Sequence, residues 1–294
     1  MLLAAIIVAA GSFSLRNLGK NESKDISLNE GIAKHDFLHP AYMDPASYDG
    51  LFDNLTETDP KNNIIGAVAP HHFLAKNKIA RLYGQIKNEN TELVYLISPD
   101  HFTNFFDIGK IAYTSNLPWQ TPFGDIFAAE ISISKLIDTG RVATRDNAVG
   151  LEHGITVETP FIKYFFSNAK IVPLVLKNSS NYSDFFDLGQ KIKEISRGRS
   201  IMIVSSDFCH NLPAAAARSA DQKSIVALKN LNISGLGAVN NDCRQCLALL
   251  AGYLDGKNYD FTLVDNTNSF EISSQDPDFV TSYVSGYYFN DSAR

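Results

Sequence analysis

Residues 203–213 read IVSSDFCHNLP. The apolar run IMIV leads directly into Ser205, Ser206, Asp207, Cys209 and His210. Carboxylate, thiolate and imidazole are the side chains that hold first-row transition metals, and imidazole moves protons near neutral pH. Other apolar runs end in the same way. APHH carries His71 and His72, SPDH carries Asp100 and His101, and LEHGITVE carries Glu152, His153 and Glu158. Five of the seven histidines fall in these places, His35 and His39 being the exceptions, so the residue type is concentrated rather than scattered.

Several chemistries are open to such a set. Two imidazoles and a carboxylate on one face leave coordination positions free, as in non-haem iron sites, whereas two imidazoles and a thiolate suit zinc or copper. The ligands would have to converge from distant segments. A serine hydrolase built on Ser205 or Ser206 with His210 and Asp207 lacks the G-x-S-x-G elbow. A thiol–imidazole pair of Cys209 with His153 has no local feature in its favour. No glycine-rich phosphate loop occurs. Cys243 and Cys246, in NDCRQCLALLAGYL, stand at the start of an apolar helical stretch, where the helix N-terminus favours a thiolate at Cys243.

The segments that must position these residues alternate between strand and helix. NIIGAVAP (63–70), LVYLIS (93–98), KIVPLVL (170–176) and SIMIVSS (200–206) read as buried strands. Pro173 suggests that the third of these lies at an edge or a bulge. DIGKIAYT (107–114), FTLVDN (261–266) and SYVSGYYF (282–289) read as further strands. Helical spacing covers 74–87, 125–138, 157–166, 182–196 and 243–254. Strands separated by helices predict a three-layer α/β/α single domain with a central, mostly parallel or mixed sheet. Ligands of such sheets bind beyond the carboxyl ends of the strands, which is where the histidines stand. Phe102, Phe105, Phe106 and Trp119 are candidates to line a pocket there, or to belong to the core.

Composition excludes some functions. A net charge of −6 without a Lys/Arg cluster gives no electrostatic footprint for nucleic acid. Three cysteines are too few for a disulfide framework. Residues 1–34 differ from the rest. LLAAIIVAA is far shorter than the ~20 residues of a membrane-spanning helix and resembles the apolar part of a secretory signal, without the basic leader. A buried first strand is the alternative, but the polar stretch that follows looks like a tether. The expectation is a signal or membrane anchor over residues 1–10, a tether to 34, and one domain over 35–294.

The ordered set APHH, SPDH, TPFGD, LEHGITVETPF, IVPLVL, VSSDFCH, DCRQC and SYVSGYY resembles the Memo family, whose prokaryotic members are labelled AmmeMemoRadiSam system protein B. The resemblance runs from about residue 38 to 290. It implies a fold similar to class III extradiol dioxygenases, the non-haem iron enzymes that open catechol rings, and a pocket with metal-binding and redox function. Carried over motif by motif, it places a transition metal, iron or copper, at His71, His101, Asp207 and Cys243, with His153 and His210 as acid–base groups. It further implies a metal-dependent oxidoreductase, if the protein is an enzyme, and AMMECR1-type and radical-SAM proteins as partners. The alternative is a non-catalytic partner- or peptide-binding module using the same pocket. Three departures from the family pattern stand out. His72, Phe73 and Leu74 replace A-G-Y after the first histidine. Ser98 and Asp100 replace the Gly and the Asn or Ser of G-P-N-H or G-P-S-H. Gly154 stands where Ser is usual.

Overall fold

The buried apolar runs pair side by side, and the helices between them cover both faces of the sheet they make. The computed structural model describes residues 37–53, 55, 63–103, 106–274 and 276–290. In chain order the elements are β1 (Ile64–Ala69), α1 (Lys76–Ile86), β2 (Leu93–Pro99), β3 (Ala112–Thr114), β4 (Trp119–Thr121), β5 (Gly124–Ile126), α2 (Glu130–Ile137) and β6 (Val142–Thr144). Next come α3 (Asp146–Leu151), α4 (His153–Thr156), α5 (Thr159–Phe165), β7 (Lys170–Leu176), α6 (Tyr182–Ile195) and β8 (Ser200–Ser205). The chain closes with α7 (Ala214–Lys229), α8 (Arg244–Leu254), β9 (Tyr259–Asn268), α9 (Ser269–Ser273) and β10 (Ser282–Asn290).

Eight strands form one mixed sheet in the order β6-β3-β7-β2-β8-β1-β10-β9, and β4 and β5 form a separate hairpin. The middle strands β7, β2, β8 and β1 are mutually parallel, and β10 and β9 extend the sheet antiparallel. Strands buried on both faces read as continuous apolar runs, which is why these four were visible in the sequence. Their alternate residues feed two cores. Tyr95, Ile97, Leu174 and Val204 pack with Phe185 and Leu188 of α6 and Leu247 and Leu250 of α8. Leu96, Val175 and Ile203 pack with Ile79 and Tyr83 of α1 and Phe161 of α5. The result is the expected α/β/α sandwich. Helices α6 and α8 approach so closely that a Cβ on Gly189 would meet the Leu249 carbonyl at 2.0 Å, and one on Gly252 the Phe186 carbonyl at 2.0 Å.

Several details differ from the sequence reading. The strand expected over 107–114 is confined to Ala112–Thr114, and the helix expected from 125 begins at Glu130 after β5. Although β7 is internal in the strand order, Pro173 is tolerated because β3 pairs only with Val175 and Leu176. On that flank the next bridge is Ala128 to Ile171, so the missing N–H of Pro173 falls between partners. Helix α7 was not anticipated. It rests on an alanine-rich start rather than on a broad apolar stripe.

The described residues form one compact unit within 36–294. The expected signal or anchor and its tether, over residues 1–34, lie outside the described residues. Among the described residues no helix is long and apolar enough to cross a membrane.

Candidate metal centre

The parallel strands end in register. Ala69 of β1 pairs with Ser205 of β8, and β2 runs beside β8 through Ile97 and Val204. Two residues beyond β1 stands His71, two beyond β2 stands His101, and two beyond β8 stands Asp207. One sheet edge therefore gathers two imidazoles and a carboxylate from segments far apart in sequence. The short helix α4 adds His153 from above the same edge. His71, His101 and His153 each offer a ligand nitrogen, and these atoms all lie within 4.8 Å of one another. The rings of His71 and His153 are 4.6 Å apart, and those of His101 and His153 are 4.0 Å apart.

Three carboxylates surround this cluster. Glu152, 1% exposed, accepts from His101 Nδ1 at 2.7 Å and from the His101 backbone N–H at 2.9 Å. It also caps α4 by accepting from Gly154 N at 3.0 Å, so one carboxylate fixes both His101 and the start of the helix that carries His153. Asp207 accepts from the His71 backbone N–H at 3.1 Å, and its other oxygen lies 3.8 Å from His71 Nε2. Asp242, just before α8, accepts from Ser206 Oγ at 2.7 Å and places Oδ2 3.2 Å from His71 Nε2 and 3.8 Å from His101 Nε2.

The electrostatics call for positive charge at this point. Burial opposes a proton on His71, yet Asp207 and Asp242 raise its pKa to about 10. Burial likewise opposes a charge on His101, and contact with Asp242 and Glu152 raises its pKa to about 9. His153 goes the other way. Burial, joined by the charges of His71 and His101, lowers it to about 4, which leaves a neutral imidazole at pH 7. Burial also works against the charge of Asp242, but His71 and His101 hold it well below the usual carboxylate range.

The donor set fits a transition metal. His71 Nε2 and His101 Nε2 face the same oxygen of Asp242, and the second nitrogen of His101 is already given to a buried carboxylate. A histidine that ligates metal through one nitrogen and donates the other to a carboxylate is the usual arrangement around such ions.

The remaining sequence candidates lie elsewhere. Cys243 is bonded to Cys246 in a disulfide within the first turn of α8, and in that state it has no thiolate to give a metal. The adjacent residue, Asp242, takes the place at the cluster. His210 is exposed and is not part of the three-histidine group. His72 is also exposed and pairs with the Tyr283 hydroxyl at 2.7 Å. Asp100 is turned into its own loop, where it accepts from Phe102 N, Thr103 N and Thr103 Oγ1. Cys209 is buried against Asp221, and burial with that neighbouring charge pushes its thiol up to about 11, which removes it as a nucleophile. Trp119 belongs to the core and Phe106 stacks on Tyr113, whereas Phe102 is 57% exposed beside His153; Phe105 lies outside the described residues.

The sheet, with histidines and carboxylates gathered at one carboxyl edge, defines an α/β protein with a candidate metal centre. The profile of the family described as Memo-like protein matches residues 44–254. The chain belongs to that family. Among curated relatives, a MEMO1 family protein of Nitrosopumilus maritimus is 27% identical over 58% of this chain and 62% of its own length. One from Methanosarcina barkeri is 29% identical over 60% of this chain and 66% of its own length. One from Desulfurococcus amylolyticus is 30% identical over 64% of this chain and 68% of its own length. The chain thus spans somewhat under two thirds of the first two relatives' length. Among solved structures, the uncharacterized protein JW3007 from Escherichia coli K12 superimposes with a TM-score of 0.52 over 76% of this chain and 99% of its own, at 12% identity, which is a likeness of fold.

Proposed function

We propose that the protein holds iron(II) at His71, His101 and Asp242 and uses it for redox or oxygen chemistry. The observation that carries this reading is the convergence of both Nε2 atoms on one Asp242 oxygen, at 3.2 and 3.8 Å. Two imidazoles and one carboxylate with open positions are the donor set of non-haem iron oxygenases, and copper(I) is disfavoured because the nearby sulfurs are in a disulfide. Such an ion would supply an open-sided Lewis-acidic and redox-active centre. Asp207 supports His71 through the backbone N–H and bears on its Nε2 side. Glu152 holds His101 by two hydrogen bonds. His153 is neutral, and its Nδ1 is 3.5 Å from Glu152, so Nε2 is free to accept a proton from a substrate hydroxyl. Phe102 stands edge-on to His153 with ring centres 5.5 Å apart, which favours a flat or aromatic substrate.

The test is anaerobic titration of the full chain with iron(II), followed by oxygen uptake with a panel of catechols. The reading expects about one equivalent of tightly bound iron and none in His71→Ala/His101→Ala. Iron retained by a folded double variant would refute it.

A further inference from the structure

His71 has one nitrogen unaccounted for. Nε2 faces Asp207 and Asp242, whereas Nδ1 is buried and has no hydrogen-bond partner. A buried ring N–H without an acceptor is costly, and a ligating histidine normally anchors its second nitrogen. The space beside Nδ1 is shared by two residues from different elements. A Cβ built on Gly154 would lie 3.2 Å from His71 Nδ1, 2.1 Å from Ser98 Oγ and 3.0 Å from Ser98 Cβ. The Ser98 hydroxyl therefore fills the slot that a side chain at 154 would take. It is fully buried and donates its proton to the Pro99 carbonyl at 3.0 Å, which leaves the lone pairs of Oγ available to accept.

The geometry assigns to Ser98 the role of positioning residue for His71: its hydroxyl is the group placed to accept a hydrogen bond from Nδ1–H while donating its own to the Pro99 carbonyl. The chain Nδ1–H to Oγ–H to C=O then fixes the ring's orientation and keeps Nε2 directed at the metal position. Gly154 on α4 makes room for the Ser98 hydroxyl, which reaches this slot from β2.

This inference rests on the metal reading for its consequence, and the experiment separates the two. Cobalt(II) affinity is measured by visible absorption on the full chain. Exchange of the His71 Nδ1 proton is followed by NMR in metal-free, ¹⁵N-histidine-labelled protein. Ser98→Ala is expected to weaken cobalt binding roughly 10- to 100-fold and to speed that exchange, with the thermal melt showing a folded chain. Gly154→Ser alone is expected to melt lower, because the two side chains collide. Ser98→Gly/Gly154→Ser is expected to restore both cobalt affinity and slow exchange. If wild type binds no cobalt, the metal reading fails, and the exchange data alone decide on Ser98. Unchanged affinity and unchanged exchange in Ser98→Ala would overturn the assignment, as would a folded double variant that restores neither.

Discussion

Two buried polar clusters begin two residues apart at the end of β8. Asp207 turns into the histidine cluster, and Cys209 turns into a pocket between α7 and β10. The second cluster is closed. Asp221 accepts from Ser282 Oγ at 2.7 Å, from Cys209 Sγ at 3.4 Å and from Asn266 Nδ2 at 3.2 Å, and Cys209 N donates to Ser282 Oγ at 2.9 Å. The first is open. Both oxygens of Glu158 are buried without partners, and three carboxylates crowd three imidazoles. Buried polar groups that satisfy one another specify and rigidify a core. Groups left unsatisfied together, at a sheet edge where ligands bind, mark a site that a ligand completes. Both clusters are built around a buried aspartate and a serine hydroxyl, but only the first contains imidazoles.

The sharpest way to break this comparison is to strip metal from the first cluster while sparing the second. His71→Ala/His101→Ala is expected to lose all bound iron, and Cys209→Ala to keep it, as measured by elemental analysis after anaerobic reconstitution. Asp242→Ala should weaken iron binding by roughly 100-fold or more, above the cost of losing an outer partner. Cys243→Ser should leave affinity at the wild-type value. Equal losses in these last two variants would return the ligand role to the thiol.

Glu158 gives the next largest effect. Burial is the main reason that its pKa rises to about 8 from an ordinary 4.5, and the Tyr83 hydroxyl nearby makes no well-formed hydrogen bond to it. Between these two values the folded chain keeps a proton that the unfolded chain has lost. Stability must therefore fall as pH rises from 4.5 to about 8 and then level off. Glu158→Gln removes that slope. Urea melts should show the variant gaining on wild type across this range, by roughly 2–5 kcal/mol at pH 8, with no gain near pH 4. A gain that does not depend on pH would show that Glu158 does not titrate in this way.

In the closed cluster, Asp221→Ala should cost about 1–3 kcal/mol in the same melts, the penalty for orphaning its buried partners, without changing iron content. The smallest effect is a count. The unfolded, unreduced chain should show one reactive thiol, Cys209, and three after reduction. Three before reduction would remove the disulfide.

Much of the fold was legible because the middle strands are apolar on both faces and end in residues that do not continue a strand. The same clarity exposed His71, His101 and Asp207, which stand two residues beyond those ends. His153 was legible from its place beside Glu152 at a helix start. Asp242 was not. It precedes α8 beside Cys243, and residue type does not tell which of two neighbours points into a site. The reading chose the sulfur, whereas the backbone gives the site the carboxylate and turns the sulfur toward Cys246. Asp100 and His72 stand beside His101 and His71 in sequence, but a local turn captures the first and Tyr283 the second. Helix α7 was hidden because its buried residues include Asp221 and Ser224, so its inner face does not look apolar.

The most direct test of the central claim is a crystal structure of the full chain loaded anaerobically with iron(II), with anomalous data collected at the iron edge. The expected result is one anomalous peak bonded to His71 Nε2, His101 Nε2 and Asp242 Oδ2, with the Cys243–Cys246 disulfide intact. A peak at the Cys243 sulfur, or none among these histidines, would contradict it.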